Sequence, residues 1–304
     1  MRTLSKTLRA SLLSGMVALS TPVAAREPGV PTSMPPGASM GVPVGASPPP
    51  GLYFSSRSGY ADLSLYDGDG NRLGADVTVK DTALQFLWVP ELNLWGGQYK
   101  AFVTVPVLDL DQTLSPPFGT GTADRLSLGQ IEVHPFDLSW QVAPGTFVST
   151  GFSVFAPTGS WDATKPVNTQ GNFWTFAPSL GFSHLRDGWN LSLNAIYFTN
   201  TRNEDNDYRS GDEIQLHMTA MKDFDGWSIG PVGYYRKQVT NDDNKGLAFG
   251  GTIAGKAEQL GLGLGVTRQF GPMQANLIYT RDVIHRNTLG GNRLWLNFTV
   301  PFGN

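Results

Sequence analysis

The chain has 304 residues, a formal net charge of −3 and no cysteine, so it forms no disulfide. This mildly acidic balance disfavours a nucleic-acid partner, which requires a basic face. Beyond the N-terminal segment no run of about 18 apolar residues occurs, so a membrane-spanning helix is not predicted. Charged residues make up only 15% of the chain, glycine occurs 36 times and aromatic residues reach 11%. Such a composition is typical of a β-rich protein with aromatic bands and glycine-tolerant turns rather than of a soluble enzyme.

Residues 1–25 have the features of a secretory signal peptide. Arg2, Lys6 and Arg9 form a basic start, a short apolar stretch follows, and small residues end the segment at Ala25. This pattern predicts cleavage after Ala25 and export from a bacterial cytoplasm. Loss of the three basic residues takes the formal charge from −3 to −6.

Residues 26–50 are rich in proline, glycine, serine and alanine and carry almost no charge. A segment of this composition has too little apolar surface to fold by itself, so we expect a flexible periplasmic leader. A plug inside a pore is the alternative.

From residue 51 to residue 304 the sequence predicts strand after strand. Apolar and polar residues alternate with a period of two in 189–198, 211–220, 259–270 and 293–302. This alternation indicates half-buried strands, and no helical period competes with it over a useful length.

The spacing of the breaks predicts how the strands are arranged. Short and long breaks alternate along the chain, which gives 12 antiparallel strands with both ends on the short-turn side. Short periplasmic turns and long extracellular loops are typical of a bacterial outer-membrane β-barrel. We therefore predict an all-β fold, a single 12-stranded antiparallel transmembrane barrel. The short turns are expected at 95–98, 143–145, 186–189, 223–227 and 270–273, and the long loops at 66–78, 109–125, 156–171, 199–212, about 240–256 and 285–292.

Aromatic residues support the same topology. They cluster beside both kinds of connection, as expected for the two interfaces of a membrane, where a ring can contact lipid on one side and water on the other. The periplasmic set is Trp95, Trp140, Phe147, Trp189, Phe224, Trp227, Phe270 and Phe302; the extracellular set is Tyr66, Phe155, Trp174, Tyr197, Tyr234, Tyr279 and Trp295.

The sequence offers little support for catalysis or metal binding. His134, His184, His217 and His285 show no metal-ligand spacing, so neither a metal site nor a cofactor is predicted. A hydrolase would need a Ser–His–Asp or Ser–His–Asn group, which could be assembled only across strands. A protease-like site would need Asp205, Asp207 and Asp212 to meet His285. No catalytic residue is assigned, and the chain is predicted not to be an enzyme.

The residues expected on the inward face favour transport over catalysis. Arg236 and Arg293 are expected to face Glu132 and Glu213 across or along the lumen, which is narrow because strand number sets the diameter. Apolar residues such as Phe136 and Trp295 share this face, and a mixed wall favours modestly apolar solutes. The lumen-lining candidates are Glu91, Glu132, His134, Asn190, Asn194, Glu213, Gln215, His217, Arg236, Gln238, Arg293 and Asn297.

One block of sequence resembles a known family. Residues 197–246, "YFTNTRNEDNDYRSGDEIQLHMTAMKDFDGWSIGPVGYYRKQVTNDDNKG", are similar to the diagnostic block of the outer-membrane proteins named for the meta-pathway of phenol degradation, and the similarity covers most of the barrel. It implies a transporter that helps hydrophobic or aromatic compounds to cross the outer membrane. The matching residues include Asn200, Asn203, Tyr208, Ser210, Gly211, Asp212, Tyr234 and Tyr235.

These observations favour an outer-membrane channel for small hydrophobic or aromatic compounds. A structural or surface-interaction barrel that acts through its extracellular loops is the alternative, and an outer-membrane hydrolase is a remote one. The expected partners are outer-membrane lipid and lipopolysaccharide, the outer-membrane assembly machinery and a small hydrophobic or aromatic solute, without nucleic acid. The acidic loop at 200–211 is expected to be solvated.

Overall fold

The computed structural model describes residues 26–246, 251, 253 and 255–302. The predicted signal peptide lies outside the described residues and stays a prediction. The described residues contain sixteen strands and no helix long and apolar enough to cross a membrane. The strands are β1 (Gly51–Tyr66), β2 (Arg72–Val89), β3 (Asn93–Leu94), β4 (Gly97–Leu114), β5 (Gly121–Leu128), β6 (Ile131–Ala143), β7 (Thr146–Ala156), β8 (Thr175–Arg186), β9 (Trp189–Asn200), β10 (Tyr208–Arg209), β11 (Glu213–Phe224), β12 (Trp227–Gln238), β13 (Asp243–Asn244), β14 (Glu258–Phe270), β15 (Met273–Arg286) and β16 (Thr288–Phe302).

Twelve wall strands form a closed antiparallel barrel. β5 and β6 pair with successive halves of β4 and together make one wall strand, while β3, β10 and β13 are two-residue strands in connections. The barrel closes where β1 pairs with both β2 and β16, with Gly59 opposite Asp81 on one side and Trp295 on the other. The prediction of a 12-stranded antiparallel barrel is confirmed.

The five predicted short turns are present. In three of them both central residues have positive φ, namely Trp95–Gly96, Asp187–Gly188 and Asp225–Gly226. Two-residue hairpins favour this conformation because it matches the twist of the flanking strands. These turns mark the periplasmic end of the barrel.

Three of the six predicted long loops are much shorter than expected. Strand pairing covers most of 66–78, 109–125 and 285–292, and leaves connections at 67–71, 115–120 and Asn287. The cause is that these strands carry polar side chains on the outer face as well; Lys80, for example, pairs with Asp109 and Asp111. Where a strand extends beyond the bilayer, both of its faces can be polar. A run of polar residues therefore does not show where such a strand ends.

The outer face carries the apolar band expected of a membrane barrel. Leu191, Leu193, Leu262, Leu264 and Leu296 are all between 37% and 62% exposed. So large an exposed apolar surface indicates contact with lipid.

Aromatic residues lie on the outer face near both ends, with four corrections. Trp95, Trp189, Trp227, Trp174 and Tyr279 are exposed, as predicted. By contrast, Phe155, Tyr234 and Trp295 are buried on the inner face. Phe147 lies on the same inner face of β7, in register with Ser183. Glycines in neighbouring strands and in the N-terminal segment provide the space: a Cβ at Gly261 would lie 2.4 Å from the Tyr234 ring, and one at Gly37 would lie 3.2 Å from Trp295.

Residues 26–50, here the luminal segment, run through the barrel from the extracellular loops to the periplasmic end. Near the top, the backbone N–H of Glu27 donates to Ser210 Oγ; in the middle, Gly41 N donates to Thr219 Oγ1; near the bottom, Gly45 N donates to Ser183 Oγ. The expected flexible periplasmic leader is therefore wrong, and the plug alternative describes the segment. Side chains of the wall satisfy backbone groups that a segment of this composition cannot satisfy by itself.

Candidate functional site

The inward face of the wall contacts the luminal segment rather than an open channel. His217 Nδ1 accepts hydrogen bonds from Ser39 N at 3.3 Å and lies 2.8 Å from Ser39 Oγ. Asn194 Nδ2 donates to the same Ser39 hydroxyl, and Asn190 Nδ2 to Gly41 O. Because Nδ1 of His217 is an acceptor, its Nε2 carries the proton and donates to Gln215 Oε1 at 3.0 Å.

Eleven of the twelve lumen-lining candidates lie on this inward face. Glu91 is the exception: it is exposed in the turn between β2 and β3, outside any strand. Phe136, expected inside, faces outward because β6 has a bulge between Val133 and Phe136, which shifts the alternation. The eleven inward candidates are Glu132, His134, Asn190, Asn194, Glu213, Gln215, His217, Arg236, Gln238, Arg293 and Asn297.

The charged candidates form local pairs along the wall, the second of the two expected arrangements, and not across the lumen. Arg236 binds Glu213 through two hydrogen bonds, Nε to Oε2 at 2.8 Å and Nη2 to Oε1 at 2.7 Å. Arg293 pairs with Asp81 at 3.0 Å instead of with a glutamate. Glu132 accepts a hydrogen bond from Ser153 Oγ at 2.6 Å.

Arg26 of the luminal segment adds a second guanidinium to Glu213. Its Nη1 lies 3.0 Å from Glu213 Oε1, and both side chains are almost fully buried. One carboxylate thus serves two arginines, one from the segment and one from β12. Breaking such a buried group is costly because it leaves a charge without a partner, so this contact fixes the segment to the wall.

The extracellular loop that resembles the family motif closes over the top of the luminal segment. Asn203 Nδ2 and Asn206 Nδ2 donate to Glu27 Oε1 at 2.9 and 2.7 Å, and Trp161 Nε1 donates to the same oxygen at 2.9 Å. Desolvation by burial raises the pKa of Glu27 above its ordinary value, against these hydrogen bonds, which lower it.

The same loop is folded as well as solvated: its carboxylates Glu204 and Asp205 are exposed, as expected, while its motif residues are held by hydrogen bonds. Tyr208 and Gly211 both donate to Asp242 of the next loop, the latter through its backbone N–H at 2.7 Å. Asp212 accepts from Tyr197, Thr199 and Arg209. The motif residues Asn200, Asn203, Tyr208, Ser210 and Asp212 are all buried.

The two motif tyrosines point in opposite directions, as neighbours on a strand must. Tyr234 is inside, where its hydroxyl donates to Asp282. Tyr235 is outside, and its hydroxyl donates to Glu258 at 2.7 Å. Only the first can contact a solute in the lumen.

A serine, a histidine and an aspartate do come together on β6 and β7. Ser153 Oγ lies 2.6 Å from His134 Nδ1, and His134 Nε2 lies 3.3 Å from Asp137 Oδ2. However, Ser153 donates its hydroxyl proton to Glu132, so His134 must donate to the serine oxygen. A nucleophilic serine requires the opposite arrangement, with the imidazole accepting the proton. In the described ranges no three His, Cys, Asp or Glu side chains are grouped to hold a metal ion.

A cavity of about 220 Å³ remains in the lumen beside the luminal segment. One side is apolar and is formed by inward residues of β1, β2 and β4, among them Leu63, Val77, Val79 and Leu110. The opposite side is polar. Its lining side chains are Arg26, Asp81, Tyr234, Arg236, Gln259, Asp282 and Arg293.

Sequence reasoning missed most of this cavity. The polar residues of 66–78 predict a loop there, although Ala75, Val77 and Val79 continue the apolar alternation of β2. Arg26 and Glu27 are not among the predicted site residues, although they are the two charged residues of the luminal segment. Both charges lie at one end of an otherwise uncharged segment, and this asymmetry is the sequence feature that points to them.

Solved structures with the same architecture are outer-membrane barrels. The COG4313 outer membrane channel from Pseudomonas putida F1 is 16% identical, with a TM-score of 0.74 over 86% of this chain and 98% of that chain. The transport unit of the autotransporter AIDA-I from Escherichia coli is 11% identical, with a TM-score of 0.51 over 84% of this chain and 90% of that chain. The translocator domain of NalP from Neisseria meningitidis is also 11% identical, with a TM-score of 0.50 over 85% and 91%.

At these identities the likeness shows the fold, which is that of a bacterial outer-membrane β-barrel. Comparison with curated protein sequences gives no match. A model of the family described as "Putative MetA-pathway of phenol degradation" matches residues 61–298, most of the barrel, and the chain belongs to that family.

Proposed function

We propose that the protein is an outer-membrane channel that assists the passage of small hydrophobic or aromatic compounds and has no enzymatic activity. The luminal cavity is the observation that carries this proposal. An apolar cavity of about 150 Å³ is enough to hold a benzene molecule, so the 220 Å³ beside Val77, Val79 and Leu110 fits one ring. The family description, which names phenol degradation, supports this substrate class, and the similar fold of the outer membrane channel from Pseudomonas putida supports a channel.

Under this proposal the outer face contacts outer-membrane lipid and lipopolysaccharide, and the barrel is inserted by the outer-membrane assembly machinery. Solutes enter between the extracellular loops and pass through the cavity. The docked luminal segment obstructs the route, so passage requires it to move and is limited to small molecules.

The test is solute uptake into liposomes that contain the purified protein. Val79 lines the cavity and Thr78, beside it on β2, faces outward and donates to Asp62. We expect Val79→Phe to fill the cavity and to reduce uptake of phenol and toluene several-fold, whereas Thr78→Phe leaves uptake unchanged. Uptake by the wild type no faster than by protein-free liposomes, or equal uptake by the two variants, contradicts the proposal. Absence of uptake together with binding that depends on the loops supports the surface-interaction alternative.

A further inference from the structure

We propose that the luminal cavity selects single-ring aromatic carboxylates over neutral aromatic compounds, with the solute carboxylate bound by Arg26. This inference rests on the proposed function and names the substrate class of the same cavity. It starts from the side chain of Arg26, which lines the cavity and is only 5% exposed.

Arg26 has hydrogen-bonding capacity that the described residues do not use. Its Nη1 binds Glu213 Oε1, an oxygen that Arg236 Nη2 also occupies at 2.7 Å. The Nε and Nη2 atoms of Arg26 are buried and have no hydrogen-bond partner among the described residues. Buried guanidinium donors without partners are unfavourable, and a carboxylate is the acceptor that matches them best, since it can accept two parallel hydrogen bonds.

The other charged groups at the cavity are already satisfied. Asp81 is paired with Arg293 at 3.0 Å. Asp282 accepts from the Tyr234 hydroxyl, from Gln259 Nε2 at 2.9 Å and from Gly291 N at 2.8 Å. Glu27, next to Arg26 in the chain, is outside the cavity lining; its Oε1 accepts from three side chains of the extracellular loops, and its Oε2 is an acceptor without a partner among the described residues. The unused donors therefore belong to Arg26, and they favour an anion over a neutral hydroxyl compound.

The apolar side of the cavity explains why the proposed solute carries an aromatic ring. Val77, Val79 and Leu110 are buried with Ala61 and Val167 in one cluster, and Leu63 and Leu108 pack against it. A planar ring on this surface removes apolar area from water, while a substituent on the ring reaches the polar side. A simple anion without a ring would gain the contact with Arg26 but not the apolar contact.

The experiment measures equilibrium binding of three probes to the purified mature protein in detergent: benzoate, benzyl alcohol and acetate. We expect benzoate to bind at least about tenfold more tightly than either of the other two, which corresponds to about 1.4 kcal/mol. Arg26→Gln is expected to abolish this preference, and Arg26→Lys to retain part of it. Arg72→Gln is the matched control, because Arg72 is exposed and pairs with Asp76 on the outer face. Thermal unfolding of each variant shows whether the barrel is intact.

The possible results of the binding experiment distinguish the carboxylate inference from the channel proposal. Equal binding of benzoate and benzyl alcohol, or a preference that survives in Arg26→Gln, overturns the carboxylate inference and leaves the channel proposal standing. Equal binding of benzoate and acetate overturns the inference because the apolar side would have no role. Failure of all three probes to bind, with no uptake of phenol or toluene into liposomes, contradicts both proposals.

Discussion

Glu27 shows how a single carboxyl group can decide whether the luminal segment stays docked. Burial raises its pKa, so its charged form is disfavoured in the docked state even though Trp161, Asn203 and Asn206 donate to its Oε1. Its other oxygen, Oε2, has no hydrogen-bond partner among the described residues. A neutral glutamic acid is therefore better tolerated at this position than a glutamate.

The expected consequence is a pH-dependent stability. A carboxyl group whose folded-state pKa is raised stabilises the folded protein fully below its unfolded-state pKa, near the ordinary value of 4.5, and loses that contribution as the pH rises through the folded-state pKa. We predict that the thermal midpoint of the wild type falls relative to that of Glu27→Gln as the pH rises from about 4.5 towards neutrality. Asp242, whose pKa burial also raises, is present in both proteins and cancels in the difference. Parallel pH curves would show that Glu27 has no such role.

Alternation along strands predicted most of the residues on the inner wall, including Glu213, His217 and Arg236. It failed where geometry interrupts the period, at the β6 bulge before Phe136 and in the turn that contains Glu91. A bulge adds one residue to a strand and has no reliable signature in its composition. Likewise, the inward position of Trp295 depends on the absence of a side chain at Gly37, in a different element.

The luminal segment is the element that departs most from what its composition indicates. Proline and glycine predict disorder when a segment is considered alone, because it cannot satisfy its own backbone groups. Here the wall supplies those partners, with Thr219 and Ser183 accepting from Gly41 N and Gly45 N. At Gly45 the fit is so close that a Cβ would lie 2.5 Å from the backbone N of Ser183. The segment is thus ordered because the closed barrel surrounds it, and the local sequence of the segment cannot reveal this.

Because the segment spans the lumen, we predict that solute passage requires it to move. Ser33 Oγ and Thr175 Oγ1 lie 2.9 Å apart, and the chain has no cysteine, so the double variant Ser33→Cys, Thr175→Cys can form one defined disulfide between the segment and β8. In the oxidised variant we expect uptake of phenol into liposomes to fall to the level of protein-free liposomes, and reductant to restore it. The single variant Ser33→Cys under the same oxidant is the control. Unchanged uptake in the locked protein would show that solutes pass beside a docked segment.

The distribution of exposed apolar residues on the described wall indicates where the lipid bilayer lies relative to the whole barrel. Leu264 lies in the middle of β14, is 62% exposed and is expected to contact lipid. Leu126 on β5 is 70% exposed, but it pairs in register with Asp109, which forms an ion pair with Lys80. Exposure of either leucine side chain to water would be similarly unfavourable. Only Leu264 has apolar neighbours on both adjacent strands, Pro231 and Tyr279. We predict that Leu264→Arg lowers the free energy of unfolding in lipid vesicles by about 2–4 kcal/mol and Leu126→Arg by about 0–1 kcal/mol. Urea titration measures both. A similar loss in the two variants would mean that the strand extensions around Lys80 are inside the hydrocarbon layer, and that the three short extracellular connections end at the membrane surface instead of above it.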